Sequence, residues 1–179
     1  MQVANCRDCP LYEGATNSVP GSGNPKAKLM FIGEAPGYFE DQQGLPFVGN
    51  SGKLLDKLLN KIGIAREKVY IANILKHRPP GNRDPLPPEI VACSKYLRAQ
   101  IEIINPKLIV TLGKFALNYF LPEEQISRAR GKLFKVDWQG KRLVIFPTYH
   151  PSAGLRNGQM LAQMTADFDQ LQKYILIKK

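Results

Sequence analysis

Four apolar residues in a row, Leu29-Met30-Phe31-Ile32, run directly into Gly33-Glu34-Ala35-Pro36-Gly37. This junction constrains the chain more than any other stretch. An uninterrupted apolar run has no polar face to offer to water, so it predicts a strand covered on both sides. Strands of that kind belong to parallel sheets connected through helices. The glycines that stop the run carry no Cβ and let a ligand come close to the backbone. In open α/β sheets, ligands bind just outside the carboxyl ends of the strands. The turn at 33–37 is therefore a candidate pocket floor, with Glu40-Asp41 and Pro46-Phe47-Val48-Gly49 close behind it. An ordinary strand-to-helix connection uses the same turn residues.

The rest of the chain repeats the alternation. Residues 51–61 predict a helix with Leu54, Leu55, Leu58, Leu59 and Ile62 on one stripe, ended by Gly63. Residues 69–75 predict a second strand, interrupted by Asn73, whose amide needs a partner if it is buried. A helix from about 87 to 104 carries Ile90, Cys93, Leu97, Ile101 and Ile104 at helical spacing and stops at Asn105-Pro106. Residues 108–112 form the third strand, and Gly113 turns into a helix reaching about Phe120. Residues 132–138 and 141–146 read as a hairpin around Gln139-Gly140. Its second arm runs into Pro147-Thr148-Tyr149-His150-Pro151-Ser152, a second strand-end loop with reactive side chains. An amphipathic helix over 161–175 closes the chain. Strands alternating with helices predict a mainly parallel sheet in a single domain, 1–179. Residues 1–25 show no period, and 76–85 is a basic loop rich in proline and glycine. Long structureless loops in compact domains are usually functional.

Lys and Arg outnumber Asp and Glu by 25 to 15, a formal charge of +10 spread along the chain. That predicts a basic face on a folded domain and a polyanionic partner, of which nucleic acid is the commonest. No apolar run is long enough to span a membrane. No signal-peptide pattern is visible at the start, so a cytoplasmic protein is expected. In that compartment the three cysteines are free or metal-bound rather than paired. Cys6-x-x-Cys9 has metal-ligand spacing. Cys93 serves equally as a third ligand or as a small buried apolar residue. His77, one of two histidines, is the natural fourth ligand. Composition alone points such a set to zinc; an iron–sulfur cluster is the alternative.

With these motifs in order, the chain resembles the family 4 uracil-DNA glycosylases, the thermostable iron–sulfur type of that superfamily. The resemblance runs from Cys6 to the last helix. It rests on Cys6-x-x-Cys9, Gly33-Glu34-Ala35-Pro36-Gly37 with Glu40-Asp41, Pro46-Phe47-Val48-Gly49, Tyr70-Ile71-Ala72-Asn73, Arg78-Pro79-Pro80-Gly81-Asn82-Arg83 and His150-Pro151-Ser152. It implies a three-layer α/β/α fold with a central four-stranded, mainly parallel sheet. It also implies a [4Fe-4S] cluster and a monomeric base excision repair enzyme that acts on uracil-containing DNA. The family has a cysteine where this chain has His77, while its other three ligand positions match Cys6, Cys9 and Cys93. A related subgroup that binds uracil covalently has histidine at that place, together with a reactive histidine in the following loop. Residues 78–85 contain no histidine, so covalent trapping is not expected here.

The resemblance also implies roles. Phe47 stacks on uracil, Asn73 reads its edge, Glu40 crowds the C5 position, and backbone near Gly33 and Gly37 supports the base. His150 donates to uracil O2. Ala35 sits where the best-known uracil glycosylases carry an aspartate, which leaves Glu34 and Asn82 to position water. Leu155 wedges into the stack, and Arg78, Arg83, Lys114 and Arg156 contact phosphates. Without the resemblance, Phe47 and Leu155 read as packing residues, Asn73 as a strand-end amide and His150 as a helix cap. Two other functions compete: a uracil- or damage-binding DNA protein with little or no turnover, and a zinc-stabilised DNA-binding domain without a base pocket.

Overall fold

A computed structural model of the chain describes residues 3–176. The strands are β1 (Ser22–Gly23), β2 (Leu29–Gly33), β3 (Tyr70–Asn73), β4 (Leu108–Leu112), β5 (Phe134–Trp138) and β6 (Lys141–Thr148). They form one sheet in the order β1-β3-β2-β4-β6-β5. The four central strands, β3-β2-β4-β6, are parallel throughout, as expected. Two antiparallel edge strands extend them, β1 on β3 and β5 on β6. β1 lies within the segment that shows no period in the sequence. Gly23 permits its close pairing, since a Cβ there would stand 2.1 Å from the Val69 carbonyl oxygen.

The apolar run of β2 is continuous because both of its faces are covered. Leu29 and Phe31 pack with Leu55, Leu59, Phe146, Phe168 and Leu171 on one side. Met30 and Ile32 pack with Ile74, Leu97, Ile101 and Ile145 on the other. The helices that cover these faces are α3 (Asn50–Lys61) and α8 (Gly158–Leu176) on the first, and α4 (Pro87–Ile104) with α5 (Lys114–Phe120), which adds Ala116 and Phe120, on the second. The result is three layers, α/β/α. Leu29, at the start of the strand, is 8% exposed and Phe120 7%, and the other core residues named here are fully buried. A large aliphatic or aromatic side chain buried that fully contributes about 1.5–3 kcal/mol.

Four short helices escape the periodicity: α1 (Leu11–Gly14), α2 (Tyr38–Gln43), α6 (Ile126–Ala129) and α7 (Pro151–Arg156). None is long enough to display an apolar stripe. The N-terminal segment is held by a few buried apolar residues, Leu11 and Val19 among them, together with side-chain hydrogen bonds. The Asp41 carboxylate accepts from the backbone N–H of Thr16 and Asn17, at 2.9 and 3.3 Å. α8 begins three residues earlier than its apolar pattern, because Asn157 Oδ1 caps it by accepting from the N–H of Gln159 and Met160. β3 ends at Asn73, yet Ile74 and Leu75 go on donating to the Gly33 and Glu34 carbonyls at 3.0 Å each. No helix among the described residues is long and apolar enough to cross a membrane.

Candidate active site

The carboxyl ends of β2, β3, β4 and β6 open onto a cleft of about 780 Å³. β2 delivers Glu34 and the turn at 35–37, β3 delivers Asn73, β4 delivers Gly113, and β6 leads to Tyr149 and His150. Phe47, Glu40, Asn82, Arg83, Leu155 and Arg156 complete its walls. The strand-end position expected from the sequence is the position found.

Asn73 is 1% exposed, and its Oδ1 has no hydrogen-bond partner. A buried acceptor left in that state costs about 1–3 kcal/mol, so the site carries a polar group prepared for an N–H donor. Gly33 makes room for it. A Cβ on Gly33 would stand 2.4 Å from Asn73 Oδ1 and 2.6 Å from the Phe47 ring. Phe47 itself is buried and has φ +52°, a left-handed conformation that is strained for an aromatic residue and concentrates at functional sites. Glu40 holds that conformation in place: its Oε1 accepts from the N–H of Val48 and of Gly49, both at 2.9 Å. Glu40 is thus part of the cleft wall and also the anchor of the Phe47 loop. Gly37 approaches the same carboxylate, since a Cβ there would lie 2.8 Å from Glu40 Oε2.

His150 precedes Pro151, whose ring biases the preceding residue towards extended backbone; its φ and ψ are −69° and 139°. Its Nδ1 accepts from the Ser152 N–H at 3.2 Å and lies 2.8 Å from Ser152 Oγ. A backbone N–H can only donate, so Nδ1 is the unprotonated nitrogen and Nε2 carries the proton. His150 therefore caps α7 with one nitrogen and keeps a neutral N–H donor on the other. Burial lowers its pKa to about 4, with the Arg156 cation acting in the same direction and Glu40 opposing. The ring stands 5.6 Å from Phe47, centroid to centroid.

Burial raises the Glu34 pKa to about 7; Asp84 raises it further and Lys114 lowers it. Lys114 and Asp84 pair at 3.0 Å beside it. Asn82 sits at the rim, with φ +55°, and its Oδ1 accepts from Arg78 Nε at 2.7 Å. Arg83 lines the cleft, but its fork is engaged by the Glu89 carboxylate, which also accepts from the Leu86 N–H at the start of α4. This pairing clamps the 78–85 loop to the start of α4. Leu155 is 52% exposed rather than packed beneath α8. Arg156, beside it on α7, donates from Nε to the Ser152 carbonyl at 3.2 Å.

A second corner holds the cysteines. Cys6, Cys9 and Cys93 gather with Leu11, Leu75 and Tyr96. Burial pushes the Cys93 thiol up to about 11, and Cys9 and Cys6 push in the same direction. Burial raises the Cys9 thiol as well, helped by Cys6. The three sulfurs therefore lie within electrostatic reach of one another. Cys93 Sγ accepts from the Lys76 N–H at 3.2 Å. His77 follows Lys76, is 6% exposed, and lines a cavity of about 370 Å³ together with Cys6. Burial lowers its pKa against the opposing pull of Asp41. Among the described residues, no three His, Cys, Asp or Glu side chains are gathered tightly enough to hold a single metal ion.

Sequence reasoning left three contributors unassigned. Ser152 fixes the His150 tautomer and was visible only as part of the His150-Pro151-Ser152 motif. Asp84 sets the Glu34 environment and carries no motif. Lys76 is fully buried, donating to the Asn73 carbonyl and to Gln100 Oε1 at 2.8 Å each; within a basic loop nothing marks it out.

The family model of the uracil DNA glycosylase superfamily matches residues 20–175. A type-4 uracil-DNA glycosylase of Sulfurisphaera tokodaii is 44% identical over 99% of this chain and 84% of its own length. One of Archaeoglobus fulgidus is 46% identical over 95% of this chain and 88% of its own. One of Thermotoga maritima is 49% identical over 87% and 81%.

Proposed function

The chain belongs to the uracil-DNA glycosylase superfamily, and on that premise we propose how its cleft carries out uracil excision. The activity is that of a DNA repair glycosylase, which hydrolyses the N-glycosidic bond of deoxyuridine in DNA and leaves an abasic site. A base inside a duplex cannot reach the cleft, so the nucleotide swings out of the stack. Phe47 offers the uracil a ring face. Asn73 Oδ1 accepts from N3–H while its Nδ2 donates to O4; cytosine presents the opposite polarity at both atoms. The partnerless Asn73 Oδ1 is the observation that carries this reading. Glu40 fixes the Phe47 loop and crowds C5.

As the bond breaks, N1 departs with the electron pair and negative charge spreads to O2. The His150 Nε2–H donates to that oxygen as a neutral imidazole, stabilising charge without transferring its proton. Glu34, ionised, orients a water and takes its proton as the oxygen attacks C1′. Asn82 helps hold that water at the rim. Leu155 enters the stack behind the departed nucleotide. Arg78 and Arg156 meet phosphates, and Arg83 holds the 78–85 loop through Glu89.

Cys6, Cys9, His77 and Cys93 would hold a [4Fe-4S] cluster. Three thiols and an imidazole in one largely buried corner suit it, and so does the Lys76 N–H on Cys93 sulfur. Through these four side chains the N-terminal segment, α4 and the loop after β3 would be tied together at one point. We place the protein in the cytoplasm as a monomer, where its cysteines stay unpaired. The deciding experiment follows free uracil released from a labelled oligonucleotide. Wild type releases it, whereas Asn73→Asp, which sets a carboxylate against O4, loses about 1–3 kcal/mol or more of transition-state stabilisation. Binding without release by wild type would make this a recognition protein, and unchanged kinetics in Asn73→Asp would remove the base-reading role.

A further inference from the structure

Tyr38 and Phe39 open α2 and are 53% and 54% exposed. Their rings meet edge to face, with centroids 5.5 Å apart and an interplanar angle of 80°. The Arg78 guanidinium lies over the Tyr38 ring, 5.2 Å from its centroid. Phe39 stands against the Phe47 loop, its Cδ2 3.3 Å from where a Gly49 Cβ would sit. The pair thus occupies the cleft rim between that loop and the 78–85 loop. On this side of the sheet the rim is fed by β2 and β3. Leu155 and Arg156 occupy the side fed by β6, with β4 between.

A single exposed apolar residue needs no explanation; Val91 and Ile103, 73% and 78% exposed on α4, are of that kind. Two adjacent aromatic rings, one of them beneath a guanidinium, flanked by the cleft-lining Gly37 and Glu40 on a chain of charge +10, are a different feature. Aromatic faces beside cations bind single strands without sequence preference, because every base has a π-face. When a nucleotide flips, its neighbour loses a stacking partner. In a duplex that neighbour stays paired, whereas in a single strand it is free to stack on the protein.

We propose that Tyr38, Phe39 and Arg78 form a stacking platform for the unpaired base beside the flipped uridine, so that this rim grips single-stranded DNA in preference to duplex. The proposal rests on the uracil-excision reading only for the identity of the flipped base. The test is equilibrium binding of fluorescently labelled, uracil-free oligonucleotides, single-stranded and duplex, at one fixed salt concentration. Two variants are compared with wild type: Tyr38→Ala with Phe39→Ala, and Tyr38→Leu with Phe39→Leu. The second keeps apolar bulk and removes the π-faces. Losing one stacked base typically weakens binding about five- to 150-fold. Both variants should lose at least about fivefold on the single strand and stay within about twofold on the duplex, with melting temperature and circular dichroism unchanged. Unchanged single-strand affinity, full retention by the leucine variant, or equal losses on both forms would each overturn the platform. Uracil release by wild type is measured alongside. Its absence would sink the glycosylase reading while leaving the binding comparison intact.

Discussion

The Glu34→Gln substitution tests the water-positioning step most directly. Only the ionised carboxylate can take a proton from water, so the rate follows its ionised fraction. Burial and Asp84 hold the Glu34 pKa at about 7, against an ordinary value of 4.5. With that value, single-turnover excision by wild type should be at about nine-tenths of its plateau at pH 8 and about one-tenth at pH 6. A carboxylate of ordinary pKa would leave the profile flat across that span. Glu34→Gln should be slow throughout and lack the acid limb. The neighbours give the sign a second check. Asp84→Asn removes a raising charge and should move the limb to lower pH, while Lys114→Met removes a lowering charge and should move it higher. Stability provides an independent readout. The folded chain holds the Glu34 proton more tightly than the unfolded chain does, so stability falls as pH rises from about 4.5 to about 7. Glu34→Gln should flatten that contribution in denaturant melts. A wild-type rate already flat from pH 5.5 upward, or an identical acid limb in Glu34→Gln, would refute the assignment.

Three further outcomes follow from the site. His150→Ala should lower the single-turnover rate on the order of 10²–10³-fold with a smaller change in DNA affinity; a rate near wild type, or a parallel fall in both, would remove His150 as the donor to O2. Its neutrality adds no acid limb near pH 6.5, because its pKa lies at about 4. Gly33→Ala sets a Cβ between Asn73 Oδ1 and Phe47, and should cost about 1–3 kcal/mol of stability along with uracil recognition; a fully active variant of wild-type stability would show that this cradle is not needed. Protein purified without oxygen should be brown and contain about four irons per chain, and His77→Cys should retain the cluster. A folded, colourless protein with a single zinc would contradict this.

The sequence was most legible where burial and periodicity coincide. β2 reads directly from its apolar run because both faces meet helices, and α4 reads from the stripe ending at Ile104. The Gly33 turn could be placed at a strand end from its apolar run alone, whereas Asn73 joined the same pocket only through the family resemblance. What stayed hidden depends on groups far apart in sequence. Asp84 and Lys114 shape Glu34 from a loop and from the start of α5, and no local pattern predicts that meeting. α1 is anchored by the single buried Leu11, and the Asp41 carboxylate of α2 ties down the segment after it through Thr16 and Asn17, contacts that no apolar stripe announces. Arg83 looks like any surface cation until Glu89 is seen to occupy its fork. For His150, cap and donor appeared as alternatives in the sequence; Nδ1 caps α7, which leaves the Nε2–H for the donor role proposed above.

The edges of the sheet bear on how this protein survives at high concentration. A parallel core with open flanks is a template on which a loosened neighbour can build. Here one flank ends in β1, only two residues long. The other ends in β5, where exposed Lys135 and Asp137 alternate with partly covered Phe134, Val136 and Trp138. An incoming strand finds too little ladder on the first flank and charged side chains on the second. Heating should therefore deplete the protein through global unfolding, with native molecules acting as poor seeds for the aggregate that follows.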